Sequence, residues 1–183
     1  FKRGVGWQPS KVFKNKQSKM RKWAIIGMGF VYPRHLESIK KIGGEVILTC
    51  DIDDSKNPDF TDWKEMIKSG AWKDITNVSI CAPNYLHYEM CEAMKDKVIL
   101  CEKPLVLKTE EALMLPDNIF TVLQLRYHPE VIKLKKTLKG VNEVKLVVKI
   151  KRDNSYWDSW KGKDELSGGI LFNLGIHYFD LLI

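Results

Sequence analysis

Residues 23–29 read WAIIGMG, an apolar run that ends in two glycines separated by one residue. The segment that follows, RHLESIKKIG at 34–43, has the pattern of an amphipathic helix. Glycines between a strand and a helix allow a tight turn and let backbone N–H groups approach a pyrophosphate. The stretch therefore predicts the first strand, turn and helix of a dinucleotide-binding sheet, with Gly27 and Gly29 against the phosphates. Tyr32 stands where the fingerprint has its third glycine.

The rest of the chain repeats this alternation of apolar runs and amphipathic segments. Further strands are expected at 45–51, 77–83, 97–103 and 119–126, and further helices at 61–70, 86–95, 108–115 and 128–140. Continuous apolar strands separated by helices of about ten residues predict an α/β fold with a Rossmann-type, doubly wound parallel sheet. The last apolar run, at 141–152, alternates with polar residues and predicts a half-exposed strand instead.

This change of pattern divides the chain into two parts. We expect a nucleotide-binding Rossmann domain over residues 20–126 and the incomplete start of an α+β substrate domain over residues 127–183. One strand and one helix are too few to bury the apolar surface of a second domain. The chain is therefore expected to be part of a longer protein.

The basic charge of the chain is concentrated at its start. Residues 1–19 carry six basic side chains and no acidic one, out of 30 Lys+Arg and 23 Asp+Glu in all. We expect this basic extension to lie outside the fold. The remaining body is close to neutral and lacks the basic stripe of a nucleic-acid binder. A short basic arm that binds nucleic acid is the weaker alternative for residues 1–19.

Composition also bounds the location and the chemistry. No apolar run approaches the roughly 20 residues of a membrane helix, and no signal-peptide core follows the basic start. The four cysteines form no C-x-x-C pair and no Cys/His metal spacing; they are Cys50, Cys81, Cys91 and Cys101. We therefore expect a cytoplasmic protein with reduced cysteines, no bound metal, no membrane contact and no nucleic-acid partner.

Asp51 ends the second predicted strand, 22 residues beyond Gly29. A carboxylate at this position hydrogen-bonds a ribose 2′-hydroxyl and repels the 2′-phosphate of NADP. Since no arginine stands near it in the sequence, NAD is the expected cofactor. The alternative is a tight turn followed by a solvated aspartate.

A second unusual stretch is VILCEKPLVL at 98–107, where an apolar strand runs directly into a glutamate, a lysine and a proline. Burying a charge is costly unless the group is paired or titratable. A lysine at a desolvated strand end has a lowered pKa, which suits a proton acceptor. Three histidines also follow strand ends, where an open α/β sheet binds its ligands; they are His35, His87 and His128. The alternative for Lys103 is an exposed lysine on a loop.

Taken together, these motifs resemble the Gfo/Idh/MocA family of oxidoreductases. They comprise the G-x-G turn, Asp51, SICAPNYLHYEMCEA at 79–93, CEKPL at 101–105 and GGILFNLGIHYFDLL at 168–182. Within the family, PRH at 33–35, TVLQLRYHPE at 121–130 and YWDSWKG at 156–162 are similar to UDP-N-acetyl-2-amino-2-deoxyglucuronate dehydrogenases. Those enzymes oxidise the sugar 3-hydroxyl of a nucleotide sugar with NAD, in the biosynthesis of bacterial surface polysaccharide (lipopolysaccharide).

The resemblance implies a catalytic role for two residues. Lys103 would be the general base or proton relay beside the nicotinamide, and His177 would be its partner at the sugar. It implies cofactor contacts for Gly27, Gly29, Phe30, Asp51, Pro83, Asn84, His87, Glu102 and Lys103. The Lys103–Pro104 peptide bond can be cis.

The resemblance also implies a substrate surface and a homo-oligomeric parent protein. Substrate contacts are expected from Arg126, His128, Trp160, Lys161, Asn173 and His177. An arginine fork at 126 suits a carboxylate or a diphosphate. Asn173 replaces an aspartate that is common in the family, and its amide would hydrogen-bond a sugar hydroxyl. The aromatic side chains at 156, 157 and 160 suit either stacking on a sugar or base, or core packing.

Two other functions remain open. One is a dehydrogenase of the same family that acts on a free sugar or an inositol-type polyol. The other is a non-catalytic dinucleotide-binding module, against which the presence of both Lys103 and His177 argues. Turnover on a UDP-sugar distinguishes the first function from these alternatives.

Overall fold

The computed structural model describes residues 20–138, 140 and 143–183. The expected basic extension and the first two residues of the strand predicted at 141–152 lie outside the described residues. The strands are β1 (Lys22–Ile26), β2 (Glu45–Cys50), β3 (Asn77–Ile80), β4 (Val98–Cys101) and β5 (Ile119–Thr121). The helices are α1 (Tyr32–Lys41), α2 (Trp63–Lys68), α3 (His87–Ala93), α4 (Thr109–Met114), α5 (Pro129–Thr137), α6 (Asn154–Asp158), α7 (Asp164–Ser167) and α8 (Ile176–Leu182).

All five strands are parallel and lie in the order β2-β1-β3-β4-β5, which confirms the predicted doubly wound sheet. The chain moves from β1 to one side and returns on the other, so the switch point lies between β1 and β3. Ile26 pairs with both Cys50 and Ile80, and Ile80 pairs with Cys101. The residues that follow these strands therefore meet at one edge, where such sheets bind ligands.

The central strands are buried on both faces, because helices cover each side of the sheet. Ile25 packs with Ile39 of α1 on one face, whereas Ile26 packs with Met66 and Met94 on the other. All five side chains are at most 3% exposed. Full burial of each contributes roughly 1.5–3 kcal/mol, so the sheet is a rigid support for the residues at its edge.

Two predicted strands differ from the structure by more than three residues. The fifth strand was expected to reach residue 126, but β5 ends at Thr121 and a 3-10 turn covers Gln124–Tyr127. β5 has β4 as its neighbour, and β4 ends at Cys101, so among the described residues nothing continues the ladder beyond Val122.

The strand predicted at 141–152 is wrong for residues 143–152, which form no strand. Alternating side chains do not make a strand unless another strand accepts and donates its backbone hydrogen bonds. Within the described part of the chain, no segment pairs with these residues. The short helices α6, α7 and α8 follow them, in the part of the chain that packs against the carboxyl edge of the sheet. Every helix that the structure describes is too short or too polar to cross a membrane.

Candidate active site

The two glycines of the turn after β1 differ in the space around them. Gly27 has a φ of +91°, and a Cβ placed there would lie 2.6 Å from the carbonyl oxygen of Cys81. A Cβ at Gly29 would meet no protein atom within 4 Å. Gly29 lies just before α1, a ten-residue helix whose dipole places partial positive charge at this end, although the Tyr32 N–H is bonded to the Gly29 oxygen and Pro33 has no N–H. The turn therefore fits the pyrophosphate of a dinucleotide.

Asp51 is nearly buried beside this turn. Its Oδ2 accepts a hydrogen bond from the backbone N–H of Met28 at 2.5 Å, and its Oδ1 accepts one from the N–H of Asp53 at 2.9 Å. Lys56 Nζ also donates to Oδ1, at 3.0 Å. Burial by itself raises the pKa of Asp51, but these donors hold it below its usual value. The carboxylate is therefore ionised at neutral pH.

Sequence reasoning missed Lys56, since it considered arginine alone as a counter-charge. The signal was present in the short spacing from Asp51, because the 3-10 turn Asp54–Lys56 folds the lysine back onto the carboxylate.

Lys103 follows β4 and points toward the C-terminal part of the chain. Its Nζ donates to the backbone oxygen of Asn173 at 2.6 Å and to the Asn173 Oδ1 at 3.2 Å. Burial lowers the pKa of Lys103; the charge of Glu102 opposes that shift, and the charges of Lys161 and Arg152 reinforce it. A lowered pKa makes the neutral amine available nearer to neutral pH, as a proton acceptor requires. The Lys103–Pro104 peptide bond is cis.

Asn173 lies 70 residues after Lys103 and is brought to it by the π-helical turn Leu171–Gly175. Its side chain is nearly buried, and its Nδ2 donates to the Tyr156 hydroxyl at 2.9 Å. The amide is therefore held on both sides, by Lys103 and by Tyr156. Sequence reasoning considered Tyr156 for its ring, whereas the structure employs its hydroxyl.

His177 lies in the first turn of α8, near Lys103. Burial lowers the pKa of its ring, and the charge of Lys103 lowers it further. Its Nδ1 is buried without a hydrogen-bond partner among the described residues, and its Nε2 lies 3.4 Å from Gln124 Nε2. A neutral imidazole can exchange a proton or a hydrogen bond with a ligand through Nε2, which faces Gln124 in an exposed contact.

The residues after β3 are more deeply buried than expected. Asn84 is 4% exposed and donates through Nδ2 to the Ser167 oxygen at 3.1 Å; Pro83 precedes it and is partly exposed. His87 has no exposed surface, and its ring nitrogens lie 2.7 Å from the Pro104 oxygen and 2.9 Å from the Ala82 oxygen. Burial lowers the pKa of His87.

The His87 ring is thus enclosed and not available to a cofactor, which contradicts the direct contact expected of it. It fastens the loop after β3 to the loop that carries Lys103 instead. The pattern of a histidine just past a strand end did not distinguish these two roles.

Arg126 and His128 follow β5. The Arg126 guanidinium binds the carboxylate of Asp180 on α8 through Nε and one terminal nitrogen, and Asp180 is buried while Arg126 is half exposed. An incoming anion would therefore compete with Asp180 for the arginine fork expected to bind substrate. His128 is exposed at the start of α5.

A cavity of about 430 Å³ has Tyr156, the hydrogen-bond partner of Asn173, in its wall, together with Trp160 and Lys161. Lys151 and Arg152 line it as well, although sequence reasoning did not select them. The basic run KIKR at 149–152, directly before the aromatic segment, was the available signal. Asp153 lines it too, but three cations against one carboxylate leave a positive excess that suits an anionic ligand. Phe30, by contrast, is 80% exposed on the glycine turn, with the Arg34 guanidinium 5.0 Å from its ring centre.

Two family models match the chain. The Gfo/Idh/MocA oxidoreductase family, NAD-binding Rossmann fold, matches residues 21–117, and the C-terminal alpha/beta domain of that family matches residues 135–183. These matches confirm the family resemblance, the predicted fold class and the predicted NAD cofactor.

Many solved structures are similar to the chain, and three of them are dehydrogenases from different bacteria. The WlbA (WbpB) dehydrogenase from Thermus thermophilus, solved with NAD and UDP-GlcNAcA, is 34% identical over 89% of this chain, with a TM-score of 0.76. The WlbA dehydrogenase from Bordetella pertussis is 20% identical, with a TM-score of 0.75, and the match covers 90% of this chain and 58% of the Bordetella protein. The myo-inositol 2-dehydrogenase from Lactobacillus plantarum is 23% identical over 90% of this chain and 56% of its own, with a TM-score of 0.72. The chain spans 62% of the length of the Thermus protein.

Proposed function

Because the chain belongs to the Gfo/Idh/MocA oxidoreductase family, we propose that the whole protein uses NAD to oxidise a hydroxyl of a UDP-linked N-acetylated aminosugar uronate. The sugar 3-hydroxyl is the proposed position, and bacterial surface polysaccharide biosynthesis the proposed setting. One observation carries the proposal: Lys103, with a lowered pKa, stands beside His177 at the sheet edge that also bears the glycine turn.

The proposed reaction separates a hydride from a proton. NAD, when bound, accepts the hydride from the sugar carbon. The neutral amine of Lys103 takes the proton from the hydroxyl as the carbonyl forms, because a nearby base stabilises the loss of that proton. Asn173 holds the Lys103 amine in place, and His177 would offer its Nε2, which now faces Gln124, to the same sugar oxygen or its neighbour. Asp51 would accept a hydrogen bond from the ribose.

Two observations support an anionic nucleotide sugar over a neutral polyol. The cavity next to Tyr156 is lined by three cations, Lys151, Arg152 and Lys161, against one carboxylate, Asp153, and a polyol has no charge to pair with this positive excess. The Thermus relative, 34% identical, was solved with UDP-GlcNAcA. The cytoplasmic location, the homo-oligomer and the domain boundary near residue 126 stay predictions.

The test compares turnover of NAD with UDP-GlcNAcA and with myo-inositol, followed by NADH absorbance. Turnover with UDP-GlcNAcA is expected, and Lys103→Met should abolish it while NADH still quenches the tryptophan fluorescence. Lys108→Met, at an exposed lysine, is the matched control and should behave as the wild type.

Turnover with myo-inositol alone would replace the proposed substrate by a polyol. NADH binding without turnover on either compound would favour the non-catalytic module.

A further inference from the structure

Three buried polar side chains connect α1 to the sheet and to the strand end that bears Lys103. His35 of α1 is 8% exposed and Ser79 of β3 is 0% exposed, while Glu102 follows β4. His35 Nδ1 lies 2.7 Å from Ser79 Oγ, and His35 Nε2 lies 3.0 Å from Glu102 Oε1. The proposed chemistry assigns no role to His35 or Ser79.

Hydrogen-bonding capacity settles the direction of each bond. An ionised carboxylate can only accept, so His35 Nε2 must donate to Glu102. A neutral ring then has its lone pair on Nδ1, which accepts from the Ser79 hydroxyl. Buried polar groups need such partners, and this order satisfies all three side chains at once. It also aims a fixed N–H at Glu102.

Glu102 is held at both of its oxygens as a result. Oε1 receives the His35 N–H, and Oε2 receives the backbone N–H of Lys103 at 3.3 Å. Burial raises the pKa of Glu102, but the hydrogen bonds from His35 and from the Lys103 N–H, together with the charge of Lys103, hold it below its usual value and keep the carboxyl ionised. The negative charge therefore stays next to Lys103, where it favours the protonated amine against burial.

We propose that His35 is a positioning residue for Lys103: through Glu102 it holds both the backbone at the end of β4 and the negative charge beside the amine. The proposal rests on the proposed function, in which Lys103 accepts the proton. His35 does not touch the reacting atoms. It connects the helix that begins at the cofactor turn to the base, with Ser79 as its anchor in the sheet.

Other charged or titratable groups also face these side chains. Lys161, Arg152 and His177 act on Lys103 from the C-terminal part of the chain. His87 of α3 faces both Glu102 and Lys103, and the Cys101 thiol of β4 faces Glu102. The Cys81 thiol lies 3.8 Å from Ser79 Oγ, and burial raises its pKa to about 12, so it stays neutral. A change that reaches Lys103 from α1 therefore passes through Glu102.

Two substitutions separate the two bonds of the ring. The amide nitrogen of Gln occupies the place of Nε2, so His35→Gln keeps a donor to Glu102 and loses the hydrogen bond with Ser79. The amide of Asn occupies the place of Nδ1, so His35→Asn keeps a hydrogen-bond partner for Ser79 and loses the hydrogen bond to Glu102. Glu37→Gln, at an exposed residue of the same helix, is the matched control and should equal the wild type.

His35→Asn should lower kcat about tenfold or more, since misplacing a catalytic group by about 1 Å can cost as much as about 10²-fold, while the Kd for NADH changes less than about twofold. The acid limb of the kcat–pH profile of His35→Asn should move to lower pH, because less negative charge then faces the Lys103 amine. Glu102→Gln, which removes that charge outright, should shift the limb in the same direction. His35→Gln should stay near the wild type. Equal losses in both variants, without a shift of the acid limb, would mean a structural role and overturn the proposal.

A second readout does not depend on turnover. Acetylation of Lys103 by acetic anhydride, followed by peptide mass spectrometry across pH, reports the midpoint of its deprotonation in the full protein. The midpoint should fall in His35→Asn and not in His35→Gln. An unchanged midpoint in His35→Asn overturns the inference even if the wild type turns over UDP-GlcNAcA. A wild type that oxidises no sugar rejects the proposed function, while this midpoint still tests the His35 contact.

Discussion

Alanine at Gly27 and alanine at Gly29 should damage the protein in different ways. At Gly27 the backbone has a φ of +91° and a Cβ would lie 2.6 Å from the Cys81 oxygen. The left-handed conformation costs an L residue roughly 1–2 kcal/mol, and forced overpacking adds roughly 1–3 kcal/mol. Gly27→Ala should therefore lower the free energy of unfolding by roughly 2–5 kcal/mol, which corresponds to a Tm lower by about 10 °C.

Gly29 is in a conformation that other residues adopt, and its Cβ would meet no protein atom within 4 Å. Gly29→Ala should therefore keep the wild-type Tm, or raise it slightly because alanine restricts the unfolded chain. The added methyl instead occupies the space where the pyrophosphate approaches the backbone. The Kd for NADH should rise about tenfold, or about 1.4 kcal/mol.

Thermal unfolding and NADH titration by tryptophan quenching measure the two effects on the same samples. The reasoning is refuted if Gly29→Ala binds NADH as the wild type does, since the cofactor turn would then lie elsewhere. A Gly27→Ala protein that melts with the wild type would refute the structural role of the first glycine.

Three further predictions concern the charged groups. Arg126→Ala should cost about 2 kcal/mol in urea unfolding and Asp180→Asn about 1 kcal/mol, because the carboxylate is buried and the guanidinium half exposed; equal losses would contradict this. The folded-state pKa of Asp51 is lowered, so its carboxylate stabilises the fold at pH values above the unfolded pKa of about 3.9, and that contribution is lost as pH falls through the folded pKa. On acidification below about pH 4, the Tm of Asp51→Asn should therefore fall less than the Tm of the wild type. The pKa of Lys103 is lowered, so kcat should rise with pH and level off below the ordinary lysine value of about 10.4, whereas Lys103→Arg, which keeps its proton, should lose about 10²-fold or more in kcat with NADH binding retained. A kcat that does not vary with pH would argue against Lys103 as the base.

The sheet could be predicted because its strands are encoded locally. WAIIG and VILC are apolar on both faces and end at a glycine or a charged residue, which is the pattern of a buried parallel strand. Both segments form strands at the positions that this pattern predicted. The same reasoning failed at 143–152, since a strand also requires a partner outside its own sequence. β5 was overextended for a related reason: its length is limited by where β4 ends.

The sequence by itself determined the parallel fold, the glycine turn, Asp51 and the position of Lys103 at a strand end. These follow from residue type and from near neighbours along the chain. Only the tertiary structure decided which polar groups meet: Lys103 with Asn173, Arg126 with Asp180 and His35 with Glu102, pairs that lie 54 to 70 residues apart. The physical reason is that a hydrogen bond is made over about 3 Å in space, and the path of the chain between two such residues leaves no local pattern at either one.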